Sequence, residues 1–394
     1  MANPSLQIGN SNWAIKKDNL LGYSTAGTRF LPIPITMTRA SAGTRVNPQG
    51  LVETVELLGS EKVVNGNFAT DSDWTKSGGA TISDGKANIN GDGTSFAAIT
   101  QANVFTVGKI YKVTADVIIT SGLGLKFQDG ANNENIGFAT TTGFYTFYFT
   151  ATSNTSFVIG RRTGGTAFNS SIDNVSVKES TKNDLARVDY TGSTSSLLAE
   201  PQRTNTVIYS EDFSQWATSG TTPTLTTGQL SPSGEYNATK ISGTIGSSLI
   251  YLGGSSSSTT ATRTIYARTV SGTGTARLMS RHHNVNNLFT LTEEWTRFEL
   301  TGSDSLGGGD FYIDMRGSQT LSEVIVWGGQ SEEDSYATSY IPTSGSTVTR
   351  VKDQYSKTGI SDKINSEEGV LFLESSSLSN DGTSRCISIF QNGS

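Results

Sequence analysis

Apolar and polar positions alternate with a period of two along the centre of the chain. In "KIYKVTADVIIT" (109–120), Tyr111, Val113, Ala115, Val117 and Ile119 fall on one side. Ile110, Lys112, Thr114 and Asp116 fall on the other. That period predicts a strand with one buried, β-branched face. "GFYTFYFTAT" (143–152) repeats it, with Tyr145, Phe147 and Phe149 inward and Thr146, Tyr148 and Thr150 outward. "TSFVIG" and "SIDNVSVKE" supply later strands, and Gly- and Asn-rich turns separate them. Residues 58–180 therefore read as one β-sandwich.

Residues 206–335 repeat the plan. "VVNGNFATDSDW" opens the first unit and "VIYSEDFSQW" the second, each with a β-branched pair, then Phe, then Trp: Phe68 and Trp74, Phe213 and Trp216. "KIYKVTADV" corresponds to "TRTIYARTV", and "GFYTFYFT" to "EWTRFELT". The closing strands "NVSVKE" and "VIVWGGQSEED" both run into acidic residues. Each unit spans about 110 residues, the size of one sandwich domain. The flanks differ. Residues 1–35 read as irregular, with "NWAIKKDNLLGYS" a helical or docking segment and "FLPIPI" an extended edge broken by two prolines. Residues 36–56 read as two short strands around the turn "NPQG". Residues 336–394 read as a linker and then the first strands, "GVLFLE" and "RCISIFQNG", of a further sheet. Two strands cannot bury a sandwich core, so that sheet is expected to continue beyond this sequence or to pair with another chain.

Composition agrees with an all-β class. Charged residues are only 16% of 394 and glycine numbers 43, too few helix formers and too many turn formers for long surface helices. A net charge of −6 counts against a nucleic-acid partner, and Arg161-Arg162 reads as a solvated loop. No apolar run approaches the roughly 20 residues of a membrane span. The N-terminus lacks the basic-then-apolar order of a secretory signal, so synthesis in a cytoplasm is expected. A single cysteine, Cys386, leaves no internal disulfide and no cysteine-cluster zinc site.

No nucleophile, P-loop or dinucleotide motif is present. His282-His283, the only histidines, are adjacent, and neighbours on a strand point to opposite faces, so they do not form a metal pair. Glu293-Glu294 and Glu332-Glu333-Asp334 offer carboxylates for glycoside hydrolysis but read better as solvated surface. The aromatic candidates for stacking on a sugar ring are Trp74, Trp216, Phe127, Tyr145 and Tyr148. The opening-strand position of the two tryptophans favours a core role. Phe127, Tyr145 and Tyr148 are mid-sheet, where the concave face of a jelly roll lies. Tyr148 is the outward-facing one if Phe147 and Phe149 are core.

"FLPIPITMTRASAGTRVNPQGLVETV" and, later, "ARVDYTGSTSSLLAEPQRTNTVIYSEDFSQW" resemble a segment of bacteriophage tail-fibre and other virion-fibre proteins, in which the two halves adjoin. Here residues 57–180 separate them. The resemblance implies a small split β module, 36–57 plus 181–205, carrying an inserted jelly roll. "VNGNFATDSDW", "GKANI", "GKIYKVTADV" and "SIDNVSVKE" resemble the carbohydrate-binding jelly rolls attached to glycan-degrading enzymes. In that family an Asp matching Asp173 helps hold a structural calcium. Asn65, Asn67 and Asp71 are then possible co-ligands, and a capping or turn role for Asp173 stands beside that reading. "WGGQSEEDSYATSYIPTSGSTVTRVKD" is similar to a fibre linker that a laminin-G-like sandwich follows.

The resemblances imply tandem jelly-roll β-sandwiches and a non-enzymatic virion protein, a tail or capsid fibre. It would dock to other virion proteins through residues 1–35, work as a homotrimer and bind host-surface glycans. The alternatives are a tailspike-like glycan depolymerase subunit and a secreted carbohydrate-binding protein.

Overall fold

Period-two alternation becomes sheet throughout. The computed structural model describes residues 36–356, except 131–133, 153–155, 163–165, 193, 255–259, 281–287 and 304–309. It also describes the backbone strands Leu6–Gln7, Leu21–Thr25 and Arg29–Ile33. Among the described residues the one helical element is a single 3-10 turn, Phe213–Gln215, and no helix is long and apolar enough to cross a membrane. The chain is all-β. It forms two compact units, Glu56–Thr181 and the remainder, Met1–Val55 with Lys182–Ser394.

The Glu56–Thr181 unit is a sandwich of two antiparallel sheets. One has the strand order Gly143–Thr150, Ile110–Ser121, Phe168–Thr181, Lys86–Gly91, Ala80–Ser83, and Leu57–Glu61 also pairs with Phe168–Thr181. The other runs Glu134–Ala139, Leu125–Asp129, Phe157–Arg161, Ala98–Gln101, Thr75–Ser77. Tyr111, Val113, Ala115 and Val117 enter the core, whereas Lys112, Thr114 and Asp116 stay outside. Burying that one face drives the pairing, because the alternation makes any one-residue slip expose every apolar side chain.

Apart from Leu57–Glu61, the second sandwich matches the first strand for strand. One sheet runs Thr296–Ser303, Thr260–Arg268, Glu323–Glu332, Ala238–Ser242, Thr224–Gln229. The other runs Leu288–Leu291, Gly274–Ser280, Phe311–Asp314, Leu249–Leu252, Ala217–Ser219. Three details confirm the correspondence. In the first unit Trp74 lies between Phe68 and Phe157, and its indole N–H donates to Asn65 O. In the second Trp216 lies between Phe213 and Phe311, and donates to Tyr209 O. Each closing strand carries a bulge at the same register: one extra residue opposes the step Thr114 to Asp116 in the first and Thr264 to Tyr266 in the second. The bulge residue has positive φ in both, Asn174 at 50° and Gly328 at 67°.

The stretches flanking the insertion meet within the larger unit. Thr36–Thr38 pairs with Gln354–Ser356, and Arg203–Asn205 with Val348–Arg350. The hairpin Thr44–Val46/Val52–Thr54 turns through "NPQG", where the Asn47 side chain accepts from Gln49 N and Leu51 N. Arg39, Arg187 and Arg350 are buried together with Asp353 and Glu200. Asp353 pairs with Arg39 (2.9 Å) and with Arg187, and Glu200 pairs with Arg187 (2.8 Å) and Arg350 (2.6 Å). Gly43 is packed against two of these guanidiniums: an added Cβ would lie 2.8 Å from Arg187 Cδ and 2.9 Å from Arg39 Cζ. Arg39, Arg187, Glu200, Arg350 and Asp353, one or two from each of "TRASAGTR", "ARVDY", "EPQRTN" and "TRVKD", are thus one buried ion network. Stretches far apart in sequence are bound to each other by charge, and the network has no substrate-facing role.

Three expectations need correction. Residues 336–356 are not a free linker, because Tyr336, Thr338, Tyr340, Ile341 and Thr343 are buried in the same unit. Glu332 is not solvated. It is fully buried and accepts from Thr338 N (2.7 Å) and the Thr338 hydroxyl, and burial pushes its carboxyl above the usual range. Residues 1–35 contain a three-stranded sheet, with Leu21–Thr25 central where a helical or docking segment was expected. Arg29–Ile33 is its edge strand, which suits a stretch containing proline. "GVLFLE", "RCISIFQNG", Cys386 and His282-His283 lie outside the described residues.

The network makes acid stability testable. Burial alone would raise the Glu200 carboxyl, but Arg350, Arg187 and Ser339 outweigh it and pull it from 4.5 to about 2. A carboxyl depressed in the folded state contributes its stability in full above its unfolded value and loses it as pH falls through the folded one. Thermal melts should therefore show the larger unit weakening from about pH 4.5 down towards 2. A Glu200→Gln variant should be weaker at neutral pH and flatter across that window. Parallel pH profiles for the two proteins would remove Glu200 from this role.

Candidate functional site

The first sandwich exposes the outer face of its six-stranded sheet. Alternation places Phe144, Thr146 and Tyr148 there, and the register aligns them with Asp116, Thr114 and Lys112. On the next strand these face Asp173, Ser176 and Lys178. The rows are thus Phe144–Asp116–Asp173, Thr146–Thr114–Ser176 and Tyr148–Lys112–Lys178. Phe144 is 65% exposed and Tyr148 42%. A depression of about 130 Å³ is lined by Lys86, Asp116, Ile118, Ser171, Asp173 and Asn174.

The bulge shapes this depression. Its extra residue lets Asn174 donate through its side-chain amide to Asp116 Oδ2 (2.9 Å), while its backbone N–H donates to Asp173 Oδ1 (2.7 Å). Asn174 thus links, through side chain and backbone, two carboxylates that the register sets directly opposite each other, an arrangement otherwise unfavourable between like charges. At the other end of the face, Glu56 accepts from Lys112 (2.7 Å), the Tyr148 hydroxyl (3.0 Å) and the Ser180 hydroxyl (3.0 Å). Burial opposes ionisation of Glu56, but Lys112 and the hydroxyls outweigh it and hold the carboxyl below its usual range. Burial and the negative charge of Glu56 raise the Tyr148 hydroxyl. Tyr148 is therefore a neutral ring pinned by its tip, with Lys112 5.5 Å from its centroid.

The candidate residues divide. Trp74 is 5% exposed and Phe127 fully buried, so the stacking reading fails for both: each ring packs against core aromatics and presents no face to solvent. Trp216, 4% exposed, fails likewise. Tyr145 is half-buried against the core, and its hydroxyl donates to Thr141 O (2.8 Å), so it closes a turn at the strand start. Tyr148 is on the outer face, and Asp173 is in the depression. Of the proposed calcium partners, Asn65 ties its own loop through Thr70 O and Ser72 O, and Asp71 pairs with Lys76. The acidic neighbour of Asp173 is Asp116, and among the described residues no three His, Cys, Asp or Glu side chains converge.

Phe144, Asp116, Asn174, Lys86 and Glu56 were not singled out from sequence. Phe144 shares the parity of Tyr148 and was within reach of the alternation argument. Asn174 and Lys86 were not, because the bulge and the strand neighbours decide their place.

No protein-family model and no curated protein matches the sequence. Among solved structures the chain is similar to a CBM22-1-CBM22-2 tandem domain from Paenibacillus barcinonensis Xyn10C, at 11% identity, 70% of this chain, 98% of that one and a TM-score of 0.23. It is also similar to an anti-sigma factor domain-containing protein, at 9% identity, 82% and 94% coverage and a TM-score of 0.17. An oxalate decarboxylase variant from Bacillus subtilis follows at 8% identity, 69% and 80% coverage and a TM-score of 0.12. Scores of this size carry no functional argument. The sandwich assignment stands on the chain's own sheet orders, and no family is assigned to it.

Proposed function

We propose that this chain is a non-catalytic, glycan-binding component of a phage virion fibre, and that the glycan lies on the outer sheet face of the Glu56–Thr181 sandwich. One observation carries the binding reading: that face is open, and it combines an exposed ring, Phe144, with a depression in which Asp116, Asp173, Asn174 and Lys86 sit beside Ile118 and Ile172. Hydroxyl groups of a sugar are donors suited to Asp116 and Asp173, and the C–H face of a pyranose suits Phe144. One aromatic contact contributes about 1 kcal/mol, so a single face binds weakly and several copies are needed for adhesion. The virion setting is supported by the fibre-like motifs. In that setting residues 1–35 meet other virion proteins, and a trimer supplies the copies.

Electrophoresis through gels containing host polysaccharide tests this. The protein should be retarded, Phe144→Ala should lose most of the retardation, and Tyr148→Phe should keep it because the ring remains. No reducing ends should be released. Retardation that Phe144→Ala leaves intact would move the glycan off this face, and release of reducing ends would make the chain an enzyme. Sedimentation as a clean monomer at micromolar concentration would remove the trimer.

A further inference from the structure

The two sandwiches share strand order, bulge and tryptophan clamp, so their faces can be compared position by position. Register pairs Asp116 with Asp173 in the first and Tyr266 with Trp327 in the second. One step along, Ser171 corresponds to Ile325, and on the neighbouring strand Lys86 corresponds to Ala238. Four polar residues of the lining, Asp116, Asp173, Ser171 and Lys86, are therefore replaced by Tyr266, Trp327, Ile325 and Ala238, while Ile118 corresponds to Arg268 at the edge. Those four residues belong to one apolar cluster closed by Tyr340, Val46, Val52 and Trp295.

The cover is the chain's own segment 338–343. Tyr340 packs on Trp327 with ring centroids 4.6 Å apart and lies over the bulge, where a Cβ on Gly328 would be 3.3 Å from its ring. The Tyr340 hydroxyl donates to Ser210 Oγ (2.7 Å) and Glu211 Oε1 (2.9 Å). Face residues hold the segment's backbone: Gln330 Oε1 accepts from Ile341 N (2.7 Å), and Arg297 donates to Thr338 O (2.8 Å). Register makes Gln330 the counterpart of Ser176, and Arg297 that of Phe144.

We infer that the bulge marks one seat present in both sandwiches, which the second fills with Tyr340 and the first leaves open for a ligand, so that each chain carries one free seat. This rests on the glycan reading and narrows it. The centre of the seat is Asn174, flanked by Asp116 and Asp173. The two carboxylates beside Asn174 outnumber the cation of the depression, Lys86, and so favour an uncharged, hydroxyl-rich sugar over a uronate. The positions that hold the 338–343 segment predict that the glycan runs from Asn174 past Ser176. Adhesion then depends on the number of chains, because the tandem by itself adds no second site.

Two experiments test the seat on the full chain. Hydroxyl-radical footprinting should label Tyr148 and Tyr236, and leave Trp327 and Tyr340 protected. Labelling of Trp327 and Tyr340 at a comparable rate would overturn the filled seat. Calorimetry with neutral gluco-, manno- and xylo-oligosaccharides should give one site per chain, with oligogalacturonate binding more weakly. Asn174→Gly, which installs the second sandwich's bulge residue where φ is already positive, should keep the fold and weaken binding about tenfold, the loss of one good hydrogen-bonding group. Two sites per chain, unchanged affinity in Asn174→Gly or preference for the uronate would each overturn the assignment. If no oligosaccharide binds while the footprint is as expected, the glycan reading fails and the filled seat stands.

Discussion

Replacing Arg187 with methionine is expected to lower the unfolding free energy of the larger unit by about 3–5 kcal/mol. The side chain is fully buried between Asp353 and Glu200 and also donates to Thr44 O (3.0 Å) and the Ser339 hydroxyl. Methionine fills much of the volume, so packing loss is small. The cost comes from the two carboxylates left facing a neutral side chain in a site water does not reach. Arg39 and Arg350 still neutralise one side of each, which places the loss within the range for a broken buried pair rather than beyond it. Urea melts of the full chain, read on the transition of this unit, measure it. Adding Asp353→Asn should deepen the loss, because Asp353 is also the partner of Arg39, which would then be buried without a carboxylate. A loss below about 1 kcal/mol would mean that the network behaves like a surface ion pair.

Trp74→Ala is expected to cost about 3–5 kcal/mol in the smaller unit, the range for deleting a large buried aromatic side chain. The indole packs against Phe68 and Phe157, and its N–H satisfies Asn65 O at the mouth of the sandwich. Truncation leaves a cavity and an unpaired carbonyl together. The folded fraction should bind glycan as before, because the ring presents no surface on the outer face. Stability loss with unchanged binding separates this role from sugar stacking. Binding loss with unchanged stability would reverse the assignment. Trp216→Ala should act in the same way on the second sandwich, as its equivalent position requires.

The tandem of two sandwiches was legible because alternation is a local property of the chain. Tyr111 to Val117 declare their inner face by parity alone, and Tyr148 was placed on the outer face by the same reasoning. Parity cannot say how deep a side chain sits: Phe127, read as a face aromatic, is a core residue, whereas the opening-strand position of Trp74 already favoured the core. Glu332 looked like part of an acidic surface run, and only the return of Thr338 over it shows that it is buried. The fibre-like motifs were legible as motifs. That they form an ion network was not, because Arg39 and Asp353 are 314 residues apart in sequence.

The sequence by itself determined the all-β class and the repeat, since both follow from short-range pattern and order. The tertiary structure alone decided which of two equivalent faces is open. Lys86, Asp116 and Asp173 on one sheet and Ala238, Tyr266 and Trp327 on the other occupy matching positions. Their difference acquires meaning only when a distant segment covers the apolar set and not the polar one. Apolar rings on a sheet face need a cover to be removed from water, whereas carboxylates and an amide remain solvated until a ligand replaces the water.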